Sequence, residues 1–285
     1  MKIAVAGKGG TGKTTISTLL VTYLASNAKV LAIDSDSNEN LAYALNFPEH
    51  GISKMPRIRK FMEDIYSYTK TDPDWETRHL SPKHDANYYS FNNGIKDPFL
   101  EKITLTKDNI SVAHLGTVEE DKRGIQSMCG SFGLMRVFLN HLNEGSKDYV
   151  LVDLAAGNDL LTRATVMNMD EILLVVEPTF KNLSVAKDIL ISLKYLSLDR
   201  VYVIVNKSFD DKDIELVSKE LIIRKDNIRR ISFDQKIIEL DNAKSLSFDN
   251  VPDEAKKAIK EIVESMLKNP IDRNKLCLLY TSPSP

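Results

Sequence analysis

The first fifteen residues, "MKIAVAGKGGTGKTT" (1–15), decide the fold. "KIAVA" (2–6) is an apolar run of strand length, and from Gly7 to Thr14 the chain reads G-x-x-x-x-G-K-[ST], the pattern of a phosphate-binding loop. Gly7, Gly9, Gly10 and Gly12 let the backbone wrap closely enough for several N–H groups to face phosphate oxygens at a helix N-terminus. Thr11 and Thr15 complete the stretch. Lys13 is placed to neutralise terminal phosphates, and the Thr14 hydroxyl to hold Mg²⁺. One residue is left over: Lys8, a second cation that the pattern does not require.

Outward from the loop, short apolar runs alternate with segments of helical spacing. "KIAVA" (2–6), "VLAID" (30–34), "ISVAHL" (110–115), "YVLVDL" (149–154), "EILLVVE" (171–177) and "VYVIVN" (201–206) read as strands buried on both faces. Residues 13–26, 128–143, 181–196 and 212–222 carry apolar residues at helical period. This alternation predicts an α/β fold, a mostly parallel central sheet with helices on both faces, with ligands bound beyond the carboxyl ends of the strands. A last helix over 251–268 places Ala255, Ala258, Ile259, Ile262, Val263, Met266 and Leu267 on one face, suited to docking on the sheet.

The pattern breaks down over about 49–107, where "PRIRKFMEDIYSYTK" (56–70) is the one expected helix. Two readings stand for this insertion: an irregular surface excursion, or a partner-binding lid. No repeat or linker divides the chain, so residues 1–269 are expected to form a single domain. The final "LCLLYTSPSP" (276–285) has neither periodicity, and 270–285 is set aside as a tail outside the domain.

Composition narrows the function. With 42% hydrophobic and 27% charged residues and a net charge of -2, the chain is of ordinary globular type and has no global attraction for nucleic acid or acidic membrane. No apolar run approaches the ~18 residues of a membrane span, and the chain enters its first strand at once, leaving no room for a signal peptide. A cytoplasmic protein is expected, without stable membrane insertion and with nucleic acid not among its partners. Two cysteines, Cys129 and Cys277, make no disulfide framework.

"KGGTGKT" (8–14) resembles the deviant Walker A family of P-loop ATPases, which includes the nitrogenase iron protein, septum-site ATPases and partitioning ATPases. The resemblance runs to Lys268. It implies that Lys8 reaches across an ATP-dependent homodimer to the partner's nucleotide, adding positive charge at the transferring phosphoryl group as arginine fingers do. "LAIDSDSNENLA" (31–42) ends its strand at Asp34, and a carboxylate there can hold magnesium-bound water or orient the attacking water. The resemblance gives that role to Asp36, in a switch loop that also contains Asn40. "YVLVDLAAGNDL" (149–160) supplies Asp153 as the second magnesium-linked carboxylate, and Gly157 as an amide that senses the γ-phosphate.

Asn206 and Lys207 end a strand where an asparagine can bond an adenine edge. A guanine reader needs N-K-x-D, but position 209 is Phe and Asp210 comes one residue late, so ATP is expected over GTP. "RISFD" (230–234) resembles the family's adenine-contacting turn, with Ser232 where proline is usual, followed by Phe233 and Asp234.

Within the family, "VVEP" (175–178), "LAIDSDSNENLA" and the stretch from Leu115 to Leu142 resemble the nickel-insertion ATPases of carbon monoxide dehydrogenase. That subgroup opens the helix near Cys129 with C-x-C, whereas this chain reads Ser127-Met128-Cys129. Cys129 therefore keeps two readings: a soft-metal ligand for Ni²⁺ or Zn²⁺ shared across the dimer, or a small buried side chain. The subgroup implies a partner metalloenzyme. The alternative class is a spatial organiser acting on DNA or membrane, for which "IIRKDNIRR" (222–230) is the basic stretch.

Overall fold

Each expected strand forms, and period-two alternation sends its side chains to two separate cores. In β1 (Lys2–Gly7), Ile3 and Val5 join one core and Ala4 and Ala6 the other. In β2 (Val30–Asp34), Val30 and Ala32 part from Leu31 and Ile33 in the same way. The computed structural model describes residues 1–72, 82–92, 96–116, 128–157 and 166–268, with the backbone alone over 128–132.

The remaining strands are β3 (Tyr89–Phe91), β4 (Leu105–Lys107), β5 (Ile110–His114), β6 (Leu142–Glu144), β7 (Tyr149–Asp153), β8 (Glu171–Val176), β9 (Val201–Ser208) and β10 (Ile228–Ser232). Eight of them form one sheet in the order β10-β9-β8-β1-β7-β2-β5-β4, and β3 pairs with β6 in a separate ribbon. Every pairing in the large sheet is parallel except β4 on β5. β1 lies between β7 and β8, so the loop that follows it opens at the centre of the sheet's carboxyl edge.

The helices are α1 (Lys13–Leu24), α2 (Leu41–Ala44), α3 (Glu49–Lys54), α4 (Met62–Tyr68), α5 (Pro98–Ile103), α6 (Met128–Asn140), α7 (Phe180–Tyr195), α8 (Asp213–Leu221), α9 (Gln235–Asn242) and α10 (Asp253–Leu267). α1 and α10 cover one face through Ile16, Leu19, Leu20, Ile259 and Ile262. α6, α7 and α8 cover the other through Leu134, Phe138, Ile189 and Val217. Among the described residues, no helix is long and apolar enough to cross a membrane.

Two expectations are corrected. Leu267 is 49% exposed, because α10 turns only Ala255, Ala258, Ile259, Ile262, Val263 and Met266 to the sheet. The described parts of the 49–107 insertion are not a surface excursion. Ile58, Ile65, Tyr66, Tyr89, Leu100 and Ile103 are buried in the α6–α7 core. Its elements are each too short to show a period, so the apolar residues looked scattered in sequence while packing together in space.

Candidate functional site

The loop between β1 and α1 is held by its own carbonyls and by β9. Lys8 O accepts from the Thr11 hydroxyl at 2.9 Å and from Lys13 Nζ at 3.4 Å. Asn206 Nδ2 donates to Thr11 O at 2.8 Å, and Lys207 Nζ to Gly10 O at 2.6 Å and to Glu177 Oε1 at 2.7 Å. Asn206 packs so closely that a Cβ on Gly12, whose φ is +91°, would lie 2.4 Å from its amide nitrogen. Only glycine fits there. The Lys8 Nζ makes no hydrogen bond or ion pair with a described residue and is half-buried at the edge of the loop.

Three carboxylates meet the loop from the ends of β2 and β7. Asp34 and Asp153 are register partners on adjacent strands, both almost fully buried. Asp34 accepts the amides of Asp36 and Leu41 at 2.9 and 2.8 Å, bracketing the loop between them. Burial, and then the charge of Asp153, push the Asp34 carboxyl up to about 7. Asp153 Oδ2 accepts the Thr14 hydroxyl at 2.7 Å, and its Oδ1 is buried without a hydrogen bond of normal geometry. Burial raises Asp153 to about 6 against the opposing pull of Thr14 and Lys13. Asp36 is half-exposed, with Oδ1 capped by the Asn38 backbone amide and side chain, each at 3.0 Å. Ser35 ties the two strand ends together, donating its amide and hydroxyl to Asp153 O at 3.0 and 2.9 Å. Beyond β7, the Gly157 amide reaches Gly7 O at 3.4 Å.

A cleft of about 470 Å³ opens over these groups. Gly9, Gly10, Gly12, Lys13, Thr14 and Thr15 floor one end, with Asp36 beside them. Asn206, Lys207, Ser232 and Asp234 lie toward the other. Gly7, Lys8, Thr11, Asp153 and Gly157 stand behind or beside the cleft rather than lining it. All four expected base contacts also bond within the protein, Asn206 through its amide nitrogen to Thr11 O. The Ser232 hydroxyl donates to Glu254 at 3.0 Å, and Asp234 caps α9 by accepting the Lys236 amide at 2.8 Å. Lys207 is likewise committed to the phosphate loop and Glu177.

The donor set suits Mg²⁺. It is all oxygen, with a threonine hydroxyl and carboxylates placed so that one or two protein groups, phosphate oxygens and water complete the shell. Thr14, Asp36 and Asp153 are the residues that would hold it, directly or through water. Among the described residues no group of three His, Cys, Asp or Glu side chains is arranged for a metal ion. Cys129 falls in the first turn of α6, but its side chain lies outside the described residues, as does Ser127 altogether.

Residues 2–248 match the family model described as CbiA, the CobQ/CobB/MinD/ParA nucleotide binding domain. The chain belongs to that family. An uncharacterized ATP-binding protein of Methanocaldococcus jannaschii is 29% identical over 94% of this chain and 98% of its own length. The carbon monoxide dehydrogenase accessory protein CooC of Rhodospirillum rubrum is 29% identical over 88% and 91%. The septum site-determining protein MinD of Pyrococcus horikoshii, solved with Mg-ADP, superposes with a TM-score of 0.63 over 99% of both chains at 19% identity, and so shares the fold.

In this member of the CobQ/CobB/MinD/ParA family, the far end of the cleft is built by the "RISFD" turn together with Ile237, Ile238 and Asp241, which sequence reading did not single out. Ile231, Phe233, Ile237 and Ile238 give it an apolar wall, and Asp241 stands at its rim. Phe233 stacks on Phe209, ring centroids 5.3 Å apart. The signal available was the pair Ile237-Ile238, two residues beyond the "RISFD" turn on a helix of eight residues.

Proposed function

We propose that this chain is a Mg²⁺-dependent ATPase that dimerises around ATP and uses hydrolysis to mature the metal centre of a partner enzyme, by inserting nickel as in carbon monoxide dehydrogenase. The observation that supports the dimer is Lys8, whose ammonium makes no hydrogen bond or ion pair with a described residue, whereas Lys13 and Lys207 are both bonded to carbonyls of the loop. The likeness to CooC, over nine-tenths of that protein's length, carries the metallocentre role.

In this reading the loop amides and Lys13 bind the β- and γ-phosphates, and Thr14, Asp36 and Asp153 would hold Mg²⁺, directly or through water, which would neutralise charge on the phosphate oxygens. Asp36 orients the attacking water and accepts its hydrogen bond. Gly157, already against the loop, registers the presence of the γ-phosphate and passes its loss to the segment after β7. Lys8 of one protomer adds charge at its partner's phosphates. The adenine lies against the apolar wall of Ile231, Phe233 and Ile237, with no aspartate in register to read guanine.

Metal cargo would be taken by the two Cys129 thiolates, one per protomer, at the ends of their α6 helices. The organiser class is less well supported. In the basic stretch, Lys225 pairs with Glu215, Arg229 with Glu261, and Arg230 with Asp211 and Glu254, which leaves little free charge for phosphate backbones. The deciding experiment titrates Ni²⁺ into the protein with a non-hydrolysable ATP analogue and with ADP, for wild type and Cys129→Ser. Wild type should bind about one ion per dimer, with an affinity that depends on nucleotide, and Cys129→Ser should lose it. Equal binding by both proteins, or by neither, removes the metal role and returns the chain to the organiser class.

A further inference from the structure

The loop that carries Asp36 faces two ways. Asp36, Asn38 and Asn40 line the nucleotide cleft. Glu39, between them, engages a different set of groups. Its carboxylate takes a two-point contact from Arg57, Nε to Oε1 at 3.1 Å and Nη2 to Oε2 at 2.5 Å, and His114 Nδ1 lies 3.2 Å from the same Oε2. His114 is fully buried as the last residue of β5, one strand over from the end of β2.

Arg57 is itself anchored on the insertion. Its Nη1 donates to Ile52 O at 3.1 Å and Met55 O at 2.5 Å, the closing carbonyls of α3. Its side-chain stem lies where a Cβ on Gly116 would be, 2.6 Å from the Arg57 Cβ. Four hydrogen bonds thus engage all three guanidinium nitrogens between the end of α3 and Glu39, in the planar fork geometry that lysine cannot copy.

Glu39 also has a φ of +50°. That conformation is costly for a residue with a Cβ and is not one glutamate favours, so the loop is held against a local strain. What holds it is visible: Asp34 grips both ends through the amides of Asp36 and Leu41, and Arg57 grips the middle.

We propose that Arg57 is a positioning residue for hydrolysis: it fixes Glu39, and through Glu39 the place of Asp36, so that the setting of α3 is linked to the water-orienting carboxylate. The proposal rests on Asp36 having that role. A purely structural ion pair would affect folding alone. A positioning residue lowers turnover while leaving nucleotide affinity in place, because the phosphate loop is bonded independently of Arg57.

The test compares wild type, Arg57→Lys, Arg57→Ala, Asp36→Asn and the Arg57→Ala/Asp36→Asn double variant. For each, kcat and KM for ATP, affinity for a non-hydrolysable analogue, and hydrogen exchange over residues 36–41 are measured. Arg57→Ala should lower kcat about 10- to 100-fold with analogue affinity within about twofold, and Arg57→Lys should recover part of it. The amides of Asp36 and Leu41 should exchange faster in Arg57→Ala. In the Asp36→Asn background the same change should alter the residual rate by less than about twofold, since the group it acts through is gone. A folded Arg57→Ala with wild-type kcat, or one whose loss multiplies with that of Asp36→Asn, overturns the proposal. If Arg57→Ala does not fold, Glu39→Gln takes its place with the same expected pattern. Full activity in Asp36→Asn would instead remove the role assigned to Asp36, while unchanged exchange over 36–41 in Arg57→Ala would remove the linkage.

Discussion

Two carboxylates of the same loop region are driven in opposite directions by their surroundings. Asp34 is buried next to Asp153 with only amides to support its charge, and its carboxyl rises. Glu39 is pushed up by burial, but the hydrogen bonds and charges of His114 and Arg57 outweigh that and hold it at about 2, against 4.5 for an isolated glutamate. A folded-state value below the unfolded one means a contribution to stability that is present above about 4.5 and lost as pH falls toward about 2. Glu39→Gln removes the titrating group with little change of shape. The variant should melt below wild type near neutral pH, and the gap in Tm should narrow steadily below about pH 4.5. A gap of the same size at about pH 7 and about pH 3 would show that the Arg57 and His114 contacts do not act on an ionised Glu39.

Elements differ in how legible they were. β1, β2, β5, β7, β8 and β9 were readable because burial on both faces writes a continuous apolar run. β10 alternates buried Ile228 and Ile231 with half-buried arginines, and β3, β4 and β6 have three residues each, so none of them writes such a run. The loop between β1 and α1 was readable because its pattern is local, eight consecutive residues from Gly7 to Thr14. The Arg57–Glu39–His114 contact was not, since its members come from three separate segments and only the fold brings them together. The loop's dependence on a neighbouring strand was hidden for the same reason. At Gly12 an added Cβ meets the Asn206 amide at 2.4 Å, whereas at Gly10, with a similar positive φ of +84°, it meets nothing within 4 Å. Gly12→Ala should therefore destabilise by about 1–3 kcal/mol and weaken nucleotide binding as Asn206 is forced off Thr11. Gly10→Ala carries the backbone strain without the collision and should cost less. Thermal melts with and without an ATP analogue rank the two, and equal losses would mean that the Asn206 contact is not what shapes the loop.

At the scale of the whole molecule, the question is what a single chain lacks. The cleft has a glycine-rich loop with Lys13, an apolar wall and Asp36 beside it, and among the described residues Lys8 is the cation of that loop that makes no bond. Set against a second protomer, as proposed above, the same side chain would meet the negative charge of another nucleotide, and ATP offers more of it than ADP. Nucleotide that binds the dimer more tightly than the monomer must drive association, and association must tighten nucleotide in return. Light scattering should thus show the mass doubling with a non-hydrolysable ATP analogue and Mg²⁺, and reverting with ADP. Lys8→Ala should dimerise more weakly and hydrolyse ATP about 1,000-fold more slowly, the lower end of what a cation supplied in trans contributes to phosphoryl transfer. Lys8→Arg, which keeps the charge but changes its shape, should fall between. A monomer in saturating analogue, or a Lys8→Ala protein that dimerises and turns over as wild type does, would leave Lys8 without the partner that its free ammonium points to.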